Sequence, residues 1–221
     1  MFFNFHTYIK DSVPCLLNRD VSSLSVDKGE EDVALSVGLH PWHVDTDWQS
    51  KVSRVRSEAM SDHVWAIGEC GLDKARGASL SLQMEAFRVQ VAIAEELQKP
   101  MVIHCVRAFD ELLTLRKEVE GACRKAGRVP QSWVIHGFRG NPEQAKQLMA
   151  KGFFFSFGHH YNLETLRFVF TSSCPFYLET DDLPFSVRQI YEQVARHLDV
   201  DVSLLDRLCD PCRTLFSHRS L

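Results

Sequence analysis

The sequence predicts an α/β fold, a parallel (β/α) barrel of the TIM type whose first βα unit is shortened or irregular. Short apolar, β-prone runs alternate with longer segments of helical period. His6, His40, Glu69, His104, His136 and Asp181 each stand at, or just after, the C-terminal end of a different run. In a barrel those ends converge on one face, whereas in an open sheet they are strung along an edge. No convincing helix fits residues 9–32, so the barrel is expected to lack its first outer helix. That omission also accounts for a length of 221 residues, below the roughly 250 typical of the fold.

The first run covers residues 2–5, and Leu16-Leu17 mark a second strand. Further runs fall at 33–37, 64–68, 100–104, 132–136, 153–157 and 175–179. Most are apolar nearly throughout, as suits parallel strands covered on both faces. Between them, Leu80, Met84, Phe87, Val91 and Ala94 recur at spacings of three and four, one face of an amphipathic helix. Lys51, Arg54 and Arg56 mark the solvated face of an earlier helix. Residues 110–125 and 186–197 also read as helices, and Asn141 caps another that starts at Pro142 and stops at Gly152. Residues 202–216 are expected to form a last helix against the outside of the domain.

Composition narrows the class. With 45% hydrophobic and 24% charged residues, the chain is expected to form one soluble globular domain over residues 1–221. A net charge of −4 gives no global field for nucleic acid, so a polyanion has to be held at a local site. No apolar run reaches the roughly 18 residues that span a bilayer, and the start lacks the pattern of a signal peptide. Seven cysteines without a regular framework fit a reducing cytoplasm. The solitary Cys209-Asp210-Pro211-Cys212 is assigned no metal or redox role, and His159-His160 are read as solvated loop residues.

The polar residues at the strand ends carry the chemistry. "VWAIGECGLDK" (64–74) places Glu69 after a buried strand with Gly68 and Gly71 around it, which lets the backbone turn sharply. His104 ends the strand in "KPMVIHCVRAFDEL" (99–112), and His136 does so in "SWVIHGFRG" (132–140). A lone strand-end histidine is more often a satisfied core residue than a ligand. Two of them, with Glu69 before and "YLETDDLP" (177–184) after, make a hard-to-borderline divalent metal site. Such an ion lowers the pKa of water and polarises a phosphoryl or carbonyl oxygen. Glu69 can bridge two ions, while Asp181 can ligate and accept a proton from the attacking water. Mixed nitrogen and oxygen donors admit Zn, Mn, Co or Mg, as one ion or two.

In order and spacing, "GLHPWH" (38–43), "AIGECGLD" (66–73), "PMVIHC" (100–105), "IHGFRG" (135–140) and "ETDDLP" (179–184) resemble the TatD-type metal-dependent hydrolases, amidohydrolase-like (β/α) barrels whose characterised members are mostly deoxyribonucleases. The resemblance runs over residues 33–216. It implies Glu69 as a shared metal ligand, His104 and His136 as ligands of one ion, and Asp181 as ligand and general base. It places His40 in the substrate pocket as a phosphate contact. The family's opening Asp-x-His-x-His corresponds here to Asn4, His6 and Tyr8, so His6 is expected to serve a second, more labile ion together with Asp181. Two other positions depart from the family: the arginine after His104 is moved by one place to Arg107, and a later histidine is Phe109.

The function expected is divalent-metal-dependent hydrolysis of phosphodiester bonds, with DNA as substrate and no obligate protein partner. The alternatives are the same barrel and metal acting on a small ester, amide or lactone, or a catalytically impaired metal-binding member.

Overall fold

The computed structural model describes residues 2–23 and 33–217. Among these described residues, eight strands follow one another in sequence order across one sheet: β1 Asn4–Thr7, β2 Cys15–Asp20, β3 Ala34–Gly38, β4 Val64–Asp73, β5 Met101–Val106, β6 Trp133–Ile135, β7 Phe153–Phe157 and β8 Phe176–Leu178. The helices are α1 Trp48–Glu58, α2 Leu80–Leu97, α3 Phe109–Lys125, α4 Pro142–Met149, α5 Leu163–Thr171, α6 Val187–Leu198 and α7 Val202–Leu208. Parallel strands in sequence order with helices between them are the (β/α) barrel expected from the sequence. Residues 8–14, between β1 and β2, contain no helix. The first outer helix is thus missing there, and the rest of the doubtful stretch, residues 24–32, lies outside the described residues.

The chain divides into two compact units, Met1–Leu17 with Ile135–Leu221, and Asn18–Val134. In the first, β1 pairs with the start of β2 (Asn4 with Cys15), β7 pairs with β8 (Phe155 with Phe176), and Thr7 bridges to Asp181. Its interior is aromatic: Phe5 stacks on Tyr177 at 4.5 Å and Phe138 on Phe155 at 4.3 Å. Offset-stacked rings at these separations add about 0.5–1.5 kcal/mol per pair beyond area burial. Asn141 caps α4 by accepting from the Gln144 N–H, with Pro142 as the first helical residue, as its sequence predicts. Ser186 caps α6, which buries Ile190, Tyr191 and Val194.

In the second unit, β3, β4 and β5 pair side by side, Leu35 with Val64 and Gly71 with His104. Ser79 caps α2 and Gln98 ends it in the left-handed region (φ 53°). Of the spacing read from the sequence, Phe87, Val91 and Ala94 lie on the buried face of α2, with Ala86 and Gln90 beside them, while Leu80 and Met84 are only half-buried. Fully burying a Phe87-sized side chain contributes roughly 1.5–3 kcal/mol. Lys99 is also buried, and its Nζ donates to the carbonyls of Ala59, Ser61 and Val64 at 2.5, 3.1 and 2.5 Å. Its ammonium thereby satisfies main-chain oxygens that the chain takes away from water at the turn after α1.

The last helix differs from expectation. α7 stops at Leu208, and a short 3-10 turn, Pro211–Arg213, follows. Pro211 lacks the N–H that an α-helix needs there, and Asp210 accepts from the Cys212 N–H to cap the new turn.

Candidate metal and catalytic site

Within the Asn18–Val134 unit, β4, β5 and the 3-10 turn Pro41–His43 bring Glu69, His104 and His40 together. Glu69 and His40 are 2% and 4% exposed. Glu69 Oε1 lies 2.9 Å from His40 Nε2 and 2.9 Å from His104 Nδ1, and the two imidazole nitrogens are 3.3 Å apart. The three donor atoms lie within 4.8 Å of one another, a compact carboxylate and imidazole set that a divalent ion can occupy.

Local backbone chemistry aims Glu69. Its N–H donates to Asn18 Oδ1 at 2.6 Å, and that same oxygen accepts from Ser36 Oγ at 3.1 Å. Gly68 and Gly71 have φ of 145° and 146°, where side chains are strained. A Cβ on Gly68 would stand 2.3 Å from the Val102 carbonyl oxygen, and one on Gly71 2.0 Å from that of His104. Glycine therefore lets β4 approach β5 at the level of Glu69.

Polar groups around the cluster hold it. Asp73, two alternations beyond Glu69 on β4, places Oδ2 3.1 Å from His104 Nε2. The same oxygen accepts from Trp42 Nε1 at 2.6 Å, and Asp73 Oδ1 accepts from the N–H groups of Ala75 and Arg76. Burial pushes the Asp73 carboxyl upward, but the bonds from Trp42, His104 and Ala75 outweigh it and hold the pKa below the usual value. His40 donates its N–H to Asp20 Oδ2 at 2.9 Å, and its Nδ1 accepts from the Trp42 N–H at 3.1 Å. Burial lowers the His40 pKa despite the opposing pull of Glu69, which favours the neutral ring. Trp42 is partly exposed, and the Arg76 guanidinium sits 3.8 Å from its ring centroid.

The other unit holds His6, His136, Glu179 and Asp181. His6 is fully buried on β1, with Nε2 3.6 Å from Asp181 Oδ1 and its ring 4.5 Å from that of His136. His136 Nδ1 lies 3.3 Å from Glu179 Oε1, and Ser156 Oγ donates to Glu179 Oε2. Burial raises the Glu179 carboxyl, yet His136, His6 and Ser156 more than offset this and keep its pKa below the ordinary value. Asp181 is in the left-handed region (φ 56°), donates its N–H to the His6 carbonyl at 3.0 Å and accepts from the Tyr8 N–H at 3.1 Å. Tyr8 is 40% exposed and meets His6 edge-on at 5.6 Å.

The structure thus gathers His40, Glu69 and His104 in one unit, and His6, His136 and Asp181 in the other. His40, expected at a substrate phosphate, sits directly on Glu69. Arg107 takes φ 55° and is exposed, and Phe109 opens α3. Sequence reasoning gave no role to Asp73, Glu179 or Asn18. Asp73 carried a signal, since it shares the alternation of Glu69 along β4, and Glu179 is the residue directly after β8. Asn18 had none, because its partners come from β3 and β4.

The family model described as "TatD related DNase" matches residues 12–210. The chain is 35% identical over 119 residues to a protein named 3'-5' ssDNA/RNA exonuclease TatD from Yersinia pseudotuberculosis, a match covering 53% of this chain and 43% of that protein. It is 33% identical over 124 residues to an uncharacterized metal-dependent hydrolase, YabD, from Bacillus subtilis, covering 56% and 46%. The chain therefore spans about half the length of the curated relatives it matches. Among solved structures, a TatD homologue from Escherichia coli, YJJV, superposes with a TM-score of 0.76 at 16% identity over 98% of both chains. A TatD family hydrolase from Entamoeba histolytica gives 0.71 at 13% identity over 94% and 95%. These two likenesses bear on the fold.

Proposed function

Because the chain belongs to the TatD-related DNase family, we propose that it is a divalent-metal-dependent hydrolase that cleaves phosphodiester bonds of DNA. The observation that carries the reading is the approach of Glu69 Oε1 and His104 Nδ1 to 2.9 Å with His40 Nε2 beside both, carboxylate and imidazole donors suited to a borderline divalent cation. Residues 1–221 act as a single hydrolase domain in the cytoplasm, where the seven cysteines stay free thiols.

Glu69, His104, His136, Asp181 and His6 are the residues assigned to hold one or two ions of the Zn, Mn, Mg or Co class. The bound ion supplies Lewis-acid polarisation of a phosphoryl oxygen and acidifies water. The chain's own groups do the rest. Asp181, at a partly exposed strand end, takes the proton of the attacking water. Glu69 keeps its charge fixed on a buried frame, and His40 offers an N–H to an anionic oxygen. The exposed face of Trp42, with Arg76 stacked on it, gives a base and a phosphate a surface to meet.

Cleavage of labelled single-stranded DNA with Mn, Mg or Zn tests this, with single-stranded RNA and small esters as comparison substrates. Activity lost on chelation, and lost in both Glu69→Gln and Asp181→Asn, is the expected result. Full activity in both variants refutes the assignment, and turnover of the esters alone moves the substrate class.

A further inference from the structure

The connection after β1 and the turn after β8 border a cavity of about 290 Å³, whose walls include Thr7, Ile9, Lys10, Thr180, Leu183 and Phe185. Pockets for small organic ligands run from about 300 to 1,000 Å³, so this one has room for a single base and none for a duplex. Asp181 lies in the turn that forms one wall. There the Leu183 N–H donates to the Thr180 carbonyl at 3.1 Å, and Thr7 bridges to Asp181. A second wall exists because residues 8–14 contain no helix, which leaves Ile9 and Lys10 in the loop directly after β1. Thr7 Oγ1 donates to the Ile9 carbonyl at 2.9 Å and accepts from the Ile9 N–H at 3.1 Å, which pins Ile9 at the strand end. Ile9 and Phe185 are 50% and 41% exposed, two large apolar side chains left in water on one cavity. His159 braces the Phe185 ring, with the centroids 4.9 Å apart and the planes tilted by 31°.

The threonine hydroxyls of the walls have no hydrogen left to offer. That of Thr7 goes to Ile9, and that of Thr180 goes to Thr7 Oγ1 at 3.2 Å. Asp11, also on a wall, accepts from Asn4 Nδ2 at 3.2 Å and from the Ser12 N–H at 2.7 Å. What the cavity chiefly presents to a ligand is apolar surface, an aromatic ring and the exposed Lys10 ammonium. We propose that it is a stacking subsite for one unpaired base of a single-stranded DNA substrate, with Phe185 and Ile9 against the base and Lys10 at an adjoining phosphate. The inference rests on the DNA-hydrolase reading above and adds to it how the strand is held beside Asp181. Every base has a face to stack on an aromatic ring, so the subsite takes all four bases with only the modest differences that stacking strength gives. A duplex keeps its bases paired and stacked, and cannot deliver one.

The test uses the full chain and short single-stranded DNA carrying one 2-aminopurine, titrated in calcium so that binding is read apart from turnover. Binding is expected to quench the 2-aminopurine fluorescence. Phe185→Ala is expected to weaken binding about 5–150-fold, the span for one base on one aromatic ring, and to abolish the quenching. Phe185→Tyr keeps the ring and the affinity. Met60→Ala, at an equally exposed apolar residue after α1, is the control and binds as the wild type does. Lys10→Gln is expected to flatten the slope of log K against log salt by about 0.7, one phosphate contact on a single strand. In steady-state cleavage Phe185→Ala raises KM and spares kcat, the signature of lost ground-state binding. Absence of quenching in the wild type, unaltered affinity in Phe185→Ala, a strict demand for one base, or equally tight binding of the duplex each overturns the inference. The proposed function fails separately, if the strand binds as described and no divalent metal supports its cleavage.

Discussion

Replacing Gly71 by alanine puts a methyl group where the structure has a main-chain oxygen. The added Cβ would lie 2.0 Å from the His104 carbonyl oxygen and 3.0 Å from its carbon. That oxygen belongs to the backbone of β5 and cannot rotate aside, so β4 and β5 have to separate by more than 1 Å. Overpacking of this kind costs about 1–3 kcal/mol. Holding a non-glycine residue at a φ of 146° adds strain of about 1–3 kcal/mol. Together these give about 4 kcal/mol, which for a chain of this length lowers Tm by about 8–16 °C. Gly121, in α3, is the matched control, because a Cβ there meets nothing within 4 Å. Gly121→Ala is expected to stabilise by about 0.5–1 kcal/mol through helix propensity alone. Urea and thermal unfolding of the two variants beside the wild type make the measurement. If Gly71→Ala melts within a degree of the wild type, the close approach of β4 to β5 does not govern this part of the fold.

Lys99→Met removes the ammonium from three main-chain carbonyls, two of them at 2.5 Å, and is expected to lower stability by about 2–4 kcal/mol in urea titration. Tyr8→His is expected to leave zinc and manganese affinity unchanged in calorimetry, because Tyr8 is 40% exposed and presents only an edge to His6; a tighter second ion would show that position 8 reaches the metal. Glu111 has its pKa lowered by the Lys74 ammonium, whose Nζ is 2.7 Å from Oε1. A depressed carboxyl binds fewer protons in the folded than in the unfolded chain, so its stabilising effect is present above the ordinary value of 4.5 and disappears as pH falls through the folded value. The gap in urea midpoint between wild type and Glu111→Gln should thus close on acidification, and also shrink in high salt.

The strands were readable because both of their faces are buried. Residues 64–67, 101–103 and 153–157 are apolar almost without a break, and no helical period competes with them. β2 was only half visible, since Leu16-Leu17 run on into Asn18, Arg19 and Asp20, whose polarity reads as a turn. α5 went unread: LETLRFVFT is rich in phenylalanine and threonine, and its helix is made by the Asn162 cap and by Thr165, Leu166 and Val169 on one face. At the site, residues at the very ends of strands could be seen one at a time. Asp73 and Glu179 could not be weighed, because their roles lie in which histidine each one touches, and that pairing joins residues 31 and 43 positions apart.

The backbone clasp between β1 and Asp181 has a consequence for the order in which the molecule is made. Asp181 gives its N–H to the His6 carbonyl and takes that of Tyr8. On the ribosome, these bonds wait for a residue made about 175 positions after His6, roughly 10–35 s of synthesis. His40, Glu69 and His104 are all translated by position 104, within one compact unit. A nascent chain therefore holds every member of its Glu69 cluster long before His6 can meet the carboxylate that completes its own.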